Sequence, residues 1–244
     1  MQSCTSSTLG KGKLYLIPIP ISSRELDWVI PSAVQTSIAD ISHFIVEHPK
    51  TARQFLKQIN TVLPLQAIDL QIMDEHTAFR DLETLLHPIL AGYDVGLLSE
   101  AGCPAIADPG AELVRMAHQK KIIVIPLVGP SSILLALMAS GLNGQCFAFN
   151  GYLPTDKHER EEKIRKLERI SIDQKQTQIF IEAPYRNQKV FEHLVTTCQA
   201  DTELCIASHL TSIEEWIVTR SIREWRSTTL PDINKIPTIF LLQG

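Results

Sequence analysis

Apolar runs long enough to cross a bilayer are missing from this chain. Its most apolar stretches, residues 122–127 and 133–139, fall well short of the ~20 residues a spanning helix needs. Residues 1–10 are Ser/Thr-rich with no apolar run after a charged start, and residues 14–21 are apolar but hold two prolines and are too short for a convincing signal peptide. Cysteine is sparse: five residues, at 4, 103, 146, 198 and 205, with no C-x-x-C pair. A zinc ribbon and a disulfide framework are thereby excluded, and a reducing cytoplasmic setting is expected. The eight histidines contain no H-E-x-x-H, so no metal is expected. No G-x-x-x-x-G-K-[ST], G-x-G-x-x-G or G-x-S-x-G occurs, which argues against P-loop, dinucleotide and ordinary hydrolase chemistry. An excess of positive charge is also missing: 23 Lys and Arg stand against 27 Asp and Glu, a net charge of −4. Nucleic acid would have to be held by a local basic patch.

What is present is globular. Hydrophobic residues make up 44% of the 244 and charged residues 20%, enough for one large domain or two small ones with a sizeable core. Short apolar runs at 14–20, 65–72, 94–99 and 122–126 alternate with helical spacing at 51–59 and at 77–91, where Leu82, Leu85, Leu86 and Leu90 share a face. Asp108-Pro-Gly is expected to open a helix to about residue 119, with Asp108 as its cap. This rhythm predicts a mostly parallel sheet covered by helices on both faces. After Ser131 and Ser132, a good N-cap signal, the helix 133–140 is apolar all round and is expected to be buried. The charged helix 155–170 balances its basic residues with glutamates, which predicts a solvated face. The rest reads as a mixed sheet: strands at 178–182, 203–209, 214–220 and 238–243, with a helix at 187–198. A tail at 1–12, an N-terminal α/β domain at 13–127 and a C-terminal α/β domain at 128–244 follow, divided where Pro and Gly punctuate the chain. Trp28, Trp216 and Trp225 read as core or interface residues.

Three loops gather glycine, proline and polar residues at strand ends, where parallel α/β sheets bind ligands. They are Pro18-Ile-Pro-Ile-Ser-Ser, Ser99-Glu-Ala-Gly-Cys-Pro-Ala-Ile-Ala-Asp-Pro-Gly and Gly129-Pro-Ser-Ser. Small residues let a ligand approach the backbone, and free N–H groups at a helix start can hold an anion. Each alone reads better as an ordinary turn; together they predict a ligand cleft. Cys103 reads as a small apolar filler rather than a reactive thiol.

The second loop resembles the S-D-A-G-T-P-x-I-S-D-P-G signature of the ribosomal RNA small subunit methyltransferase I family, part of the tetrapyrrole methylase superfamily. The likeness continues in order. Pro126-Leu-Val-Gly-Pro-Ser-Ser resembles P-x-P-G-P-S-A, and Ser140-Gly-Leu matches S-G-L. Phe147-Ala-Phe-Asn-Gly-Tyr-Leu-Pro resembles F-x-F-x-G-F-L-P, and Ile181-Glu-Ala-Pro-Tyr-Arg resembles Y-E-S-P-H-R. Pro237-Thr-Ile-Phe-Leu-Leu-Gln-Gly resembles the superfamily's closing strand. The chain departs from the family in the first loop, where T-P-I-G-N-L has become Pro18-Ile-Pro-Ile-Ser-Ser, and at Glu100, one methylene longer than the family's Asp.

The resemblance implies a two-domain α/β methylase, a homodimer, with S-adenosylmethionine in a cleft between the domains. Its implied reaction is methyl transfer by direct displacement to ribosomal RNA of the small subunit, at a cytidine ribose 2′-hydroxyl. A tetrapyrrole or other small-molecule acceptor, or a non-catalytic relative, are the alternatives. Cofactor contacts are expected from Pro18, Ser22, Ser99, Ala101, Gly102, Cys103, Pro104, Ser131, Ser132, Tyr152, Pro184, Pro237 and Thr238. Glu47, Lys50, Arg53 and Arg186 are the expected substrate contacts, and Glu100 and Glu182 the candidates to take the hydroxyl proton.

Overall fold

A computed structural model of the protein describes residues 10–74, 76–229 and 232–244. Residues 1–9 of the expected tail, Cys4 among them, lie outside the described residues. The chain divides into one unit that ends at Pro130 and a second at Ser131–Gly244. The division falls three residues later than the sequence suggested, because residues 128–130 stay with the first unit. The Leu127 amide donates to the Leu16 carbonyl at 2.9 Å. At Gly129 a Cβ would stand only 2.4 Å from the Pro18 Cβ, a closeness no other residue allows.

The first unit runs β1 (Lys13–Ile17), α1 (Leu26–Val29), α2 (Ser32–Ile38), β2 (His43–Val46), α3 (Pro49–Ile59), β3 (Asp69–Ile72), α4 (Leu82–Leu85), α5 (His87–Leu90), β4 (Val95–Leu98), α6 (Ala111–Gln119) and β5 (Ile123–Pro126). Its five strands are all parallel, in the order β3-β2-β4-β1-β5. The central β4 is buried along its whole length, as its unbroken apolar run requires. One core cluster joins Leu14, Ile45 and Leu97 to Leu113 of α6; another joins Ile17, Phe44 and Leu98 to Phe55 of α3. Adjacent residues of each strand thus feed opposite faces of the sheet.

Two sequence expectations are corrected here. The single helix over 77–91 is a 3₁₀ turn at Phe79–Asp81 followed by two short helices. Pro88 is the cause: it has no N–H, and its ring clashes with the carbonyl four residues back. The strand over 65–72 is a 3₁₀ turn at Leu65–Ala67 and a strand only from Asp69.

The second unit runs α7 (Ser132–Ser140), β6 (Phe147–Tyr152), α8 (Lys157–Gln174), β7 (Thr177–Ile181), α9 (Asn187–Thr197), β8 (Glu203–Ser208), β9 (Trp216–Ser221), α10 (Ile222–Arg226) and β10 (Thr238–Gln243). Its sheet has the order β6-β7-β10-β8-β9. Only β6 and β7 are parallel; the other pairs are antiparallel, so the sheet is mixed as expected. Trp225 anchors the core, fully buried against Phe191 and donating its indole N–H to the Leu204 carbonyl at 2.9 Å. The expected burial of α7 on all sides is corrected. Ser131 caps it through the Leu134 amide, and Ala136, Leu137 and Ser140 are buried, but Leu134 is 50% and Met138 80% exposed. Trp28 is no core residue either: it is exposed, with the Arg24 guanidinium 3.9 Å above its ring.

Candidate functional site

The carboxyl ends of β2 and β4 form a crevice by topology. The connection after β2 leads outward to β3, and that after β4 leads the other way, past β1, to β5. Loops that leave neighbouring strands in opposite directions open the space where such sheets bind ligands. Ser99 follows β4 directly, and Glu47 follows β2.

The three loops singled out in the sequence meet at this end of the sheet. Ile19, just past β1, and Gly102, just past β4, exchange both backbone hydrogen bonds, at 3.0 and 3.1 Å. The buried Ser99 hydroxyl donates to the Gly102 carbonyl at 3.0 Å. The Cys103 thiol donates to the Pro130 carbonyl at 3.4 Å, which ties in the third loop. Gly102 has φ +75°, which an L side chain adopts only with strain. Ala105 and Ala107 also lie in the left-handed region, at φ 64° and 59°. Such backbone costs of order 1 kcal/mol per residue and persists where the surroundings enforce it. Burial raises the Cys103 thiol above its ordinary value, in keeping with a filler rather than a nucleophile.

Around this clasp stands an acidic group. Thr51, in the first turn of α3, donates to Glu100 Oε2 at 3.1 Å, and His48 Nδ1 lies 3.6 Å from Glu100 Oε1. Asp108 faces the same carboxylates. It is not the helix cap the sequence suggested: α6 starts at Ala111 with Gly110 as its N-cap and no side-chain cap bond. Freed from capping, Asp108 is half-buried, and its pKa is pushed up to about 6 by burial first, then by Glu47 and Glu100. It also lines a cavity of about 570 Å³, of small-ligand size, with Met73, Thr77 and Phe79 on the other wall. Sequence reading did not single out Asp108 as a site candidate, although the D-P-G that holds it was in plain view. Lys50 and Arg53 are exposed along α3. Among the described residues, no group of three or more His, Cys, Asp or Glu is arranged to hold a metal ion, and no helix is long and apolar enough to cross a membrane.

The curated relatives decide the family. A ribosomal RNA small subunit methyltransferase I from Synechocystis sp. is 30% identical over 217 residues, 89% of this chain and 71% of that protein. The chain belongs to this family. A Vibrio cholerae member is 28% identical over 222 residues, 91% of this chain and 73% of that one. The chain is thus a methyltransferase-family protein whose fold has one parallel and one mixed five-stranded sheet. The crystal structure of the methyltransferase CobJ shares that fold, with a TM-score of 0.62 at 18% identity, over 96% of this chain and 94% of that one. No protein-family model matches the chain.

The remaining residues that the family resemblance had picked out lie in the second unit. Ser131 and Ser132 start α7, and the exposed Tyr152 ends β6. Thr238 is buried at the start of β10, its hydroxyl donating to the Ile236 carbonyl, with Pro237 exposed before it. Pro184 opens a 3₁₀ turn that carries Arg186. Glu182, just past β7, has a fully enclosed side chain. Its Oε1 accepts from the Ala183 amide at 2.8 Å. Arg186 Nη2 stands 2.9 Å from Oε2 as an ion pair outside hydrogen-bond geometry, and Nη2 donates to the Pro154 carbonyl at 3.2 Å.

Proposed function

We propose that this protein transfers a methyl group from S-adenosylmethionine to ribosomal RNA of the small subunit, at a cytidine ribose 2′-hydroxyl. The observation that carries the reading is the Ile19–Gly102 clasp, which draws the family's signature loop onto the end of β1 beside three carboxylates.

The residues fit such a cofactor. Gly102 is buried, and a Cβ there would stand 3.4 Å from Ile21 and 3.6 Å from the Pro130 carbonyl, so its backbone lies close against both neighbouring loops. Glu47, Glu100 and Asp108 give a cationic cofactor the opposite charge. The backbone of residues 99–104, with Pro18 and Ser22 opposite, would hold it. Bound there, S-adenosylmethionine supplies an electrophilic methyl group on a positively charged sulfur.

The chain's own residues then have two tasks. The clasped loops fix donor against acceptor, and alignment of this kind removes much of the barrier to a displacement. Asp108, with a pKa of about 6, is ionised at neutral pH yet more basic than an ordinary carboxylate. We assign it the proton that the acceptor hydroxyl loses, with Glu100 beside it keeping that basicity high. Glu182, enclosed and paired, positions the Arg186 turn.

The setting is cytoplasmic and the working form a homodimer. Leu134 and Met138, one turn apart and exposed on α7, supply apolar surface of the kind self-association covers; light scattering that gives a monomer mass would remove the dimer. Calorimetric titration with S-adenosylmethionine and, separately, S-adenosylhomocysteine tests the cofactor. One site per chain is expected, weakened by Gly102→Val; absence of heat for both, with and without RNA, would overturn the reading.

A further inference from the structure

The chain carries a net charge of −4, yet one cavity in the second unit is strongly basic. It has a volume of about 620 Å³ and opens between the start of α8 and the turn that leads into α9. Lys157 and Arg160 line it from α8; Tyr185, Arg186, Lys189 and His193 line it from the other side. Glu192 is the one carboxylate in its wall. Sequence reading gave α8 a balanced, solvated face, and its outer residues bear this out. Arg165 pairs with Glu161 and Arg169 with Asp173, each four residues apart along the helix. Arg160, however, turns inward and is only 6% exposed.

The two guanidinium groups are fixed side by side by a shared acceptor. Arg160 Nη1 donates to the Pro154 carbonyl at 3.0 Å and to the Thr155 carbonyl at 2.9 Å. Arg186 Nη2 donates to the same Pro154 carbonyl at 3.2 Å. Glu182 neutralises Arg186, but no carboxylate pairs with Arg160 among the described residues. Arg160 Nε instead donates to His193 Nδ1 at 3.1 Å. His193 is therefore the neutral tautomer, with Nε2–H left as a donor. Burial, then the Arg160 charge, lowers its pKa and keeps it neutral. Among the described residues the exposed Lys189 makes no ion pair, and Lys157 has a 3.9 Å contact with Glu161. Fixed guanidinium forks, exposed ammonium groups and a ring donor form a set that matches phosphate oxygens. Tyr185 adds an aromatic face, 69% exposed, at the same cavity.

We propose that this cavity binds the phosphodiester backbone of the RNA acceptor, with Tyr185 stacking on an unpaired base beside it. Phosphates next to an exposed aromatic ring are how proteins grip single-stranded nucleic acid. A free phosphate would use the cations but leave Tyr185 idle. The assignment rests on the RNA reading above and adds to it a contact surface separate from the acidic group on the first unit. It also answers how an acidic chain holds a polyanion: the positive charge is local.

The test is binding and methylation of small ribosomal subunits that lack the modification, across a salt series, by the wild-type protein and its Lys157→Glu/Lys189→Glu and Tyr185→Ala variants. Both lysines are exposed, so the fold is retained, and S-adenosylmethionine titration serves as the check. For the double variant we expect RNA affinity at least tenfold weaker at low salt and a salt slope shallower by about 1.5 to 2, as for two lost phosphate contacts. KM for subunits rises while kcat is unchanged, and Lys157→Arg/Lys189→Arg restores binding. Tyr185→Ala weakens binding about tenfold without changing the slope. If the wild type methylates subunits and the double variant binds them with unchanged affinity and slope, the site is overturned and the function stands. If the wild type does not methylate, yet loses RNA binding through the same substitutions, the site stands and the acceptor reading falls. A wild type that binds no RNA at low salt overturns both.

Discussion

Ile19 and Gly102, far apart in the chain, are locked face to face by a reciprocal pair of backbone hydrogen bonds of 3.0 and 3.1 Å. The lock brings the loop after β1 and the loop after β4 into one structure, with φ +75° at Gly102. Gly102→Val should therefore act twice. A β-branched residue in the left-handed region costs about 1–2 kcal/mol, which thermal unfolding would register as a fall in Tm. Opening of the clasp should weaken S-adenosylmethionine by at least tenfold in calorimetry. A variant as tight-binding as the wild type would separate the clasp from the cofactor.

Asp108→Asn should trade activity against stability. The carboxyl has a folded-state pKa of about 6 against its ordinary 3.8. Its neutral form is the one the fold favours, so its contribution is fully present below pH 3.8 and is lost as pH rises through 6. Above pH 6 the ionised group costs stability, of order 1–2 kcal/mol once screening by solvent at this half-exposed site is allowed for. Asparagine removes that cost, so the variant should melt higher than the wild type at about pH 8 and no higher at about pH 4. Methyl transfer should fall by about a hundredfold or more. The acid limb of the pH–rate profile, near 6 in the wild type, should disappear.

Glu182→Ala should strip Arg186 of its partner inside the second unit. The carboxylate is enclosed and the guanidinium mostly so. An uncompensated buried charge costs about 3–5 kcal/mol, which denaturant unfolding would read as a lower midpoint. A loss under 1 kcal/mol would mean that water reaches the pair.

Thiol labelling gives a separate check on the cores. Burial raises the Cys205 thiol to about 11 and pushes Cys198 higher still, with Glu168 adding to the effect at Cys198. Both should resist alkylation in the folded protein and react only after unfolding. Cys103, also raised but half-buried, should react slowly when native and more slowly with S-adenosylmethionine bound. Mass spectrometry of pulse-labelled protein resolves the order.

Much of this architecture was legible because it is written in local patterns. The apolar run of β4 announced a strand buried on both faces, and Ser131 announced the start of α7. The signature loop was legible from its small residues and prolines. Harder to see was anything that depends on partners distant in sequence. Asp108 before Pro109 reads as a helix cap until Gly110 takes that place and leaves the carboxyl facing Glu47 and Glu100. The apolar sequence of α7 implied burial on every side, but hydropathy does not say which faces of a helix find a partner, and Met138 stays exposed. The basic cavity was invisible because α8 balances its charges along the sequence. Only in three dimensions do Arg160 and Lys157 meet Arg186, Lys189 and His193.

The central claim is methyl transfer to small-subunit ribosomal RNA, and its most direct measurement uses S-adenosylmethionine labelled in the methyl group. Small subunits lacking the modification would be incubated with the wild-type protein and with Asp108→Asn, and the RNA digested to nucleosides. The account predicts label in a ribose-methylated cytidine, one per subunit, with incorporation by Asp108→Asn reduced by about a hundredfold. Label that appears in no RNA nucleoside, from a protein that binds S-adenosylmethionine at one site per chain, would contradict it and direct the search to a small-molecule acceptor.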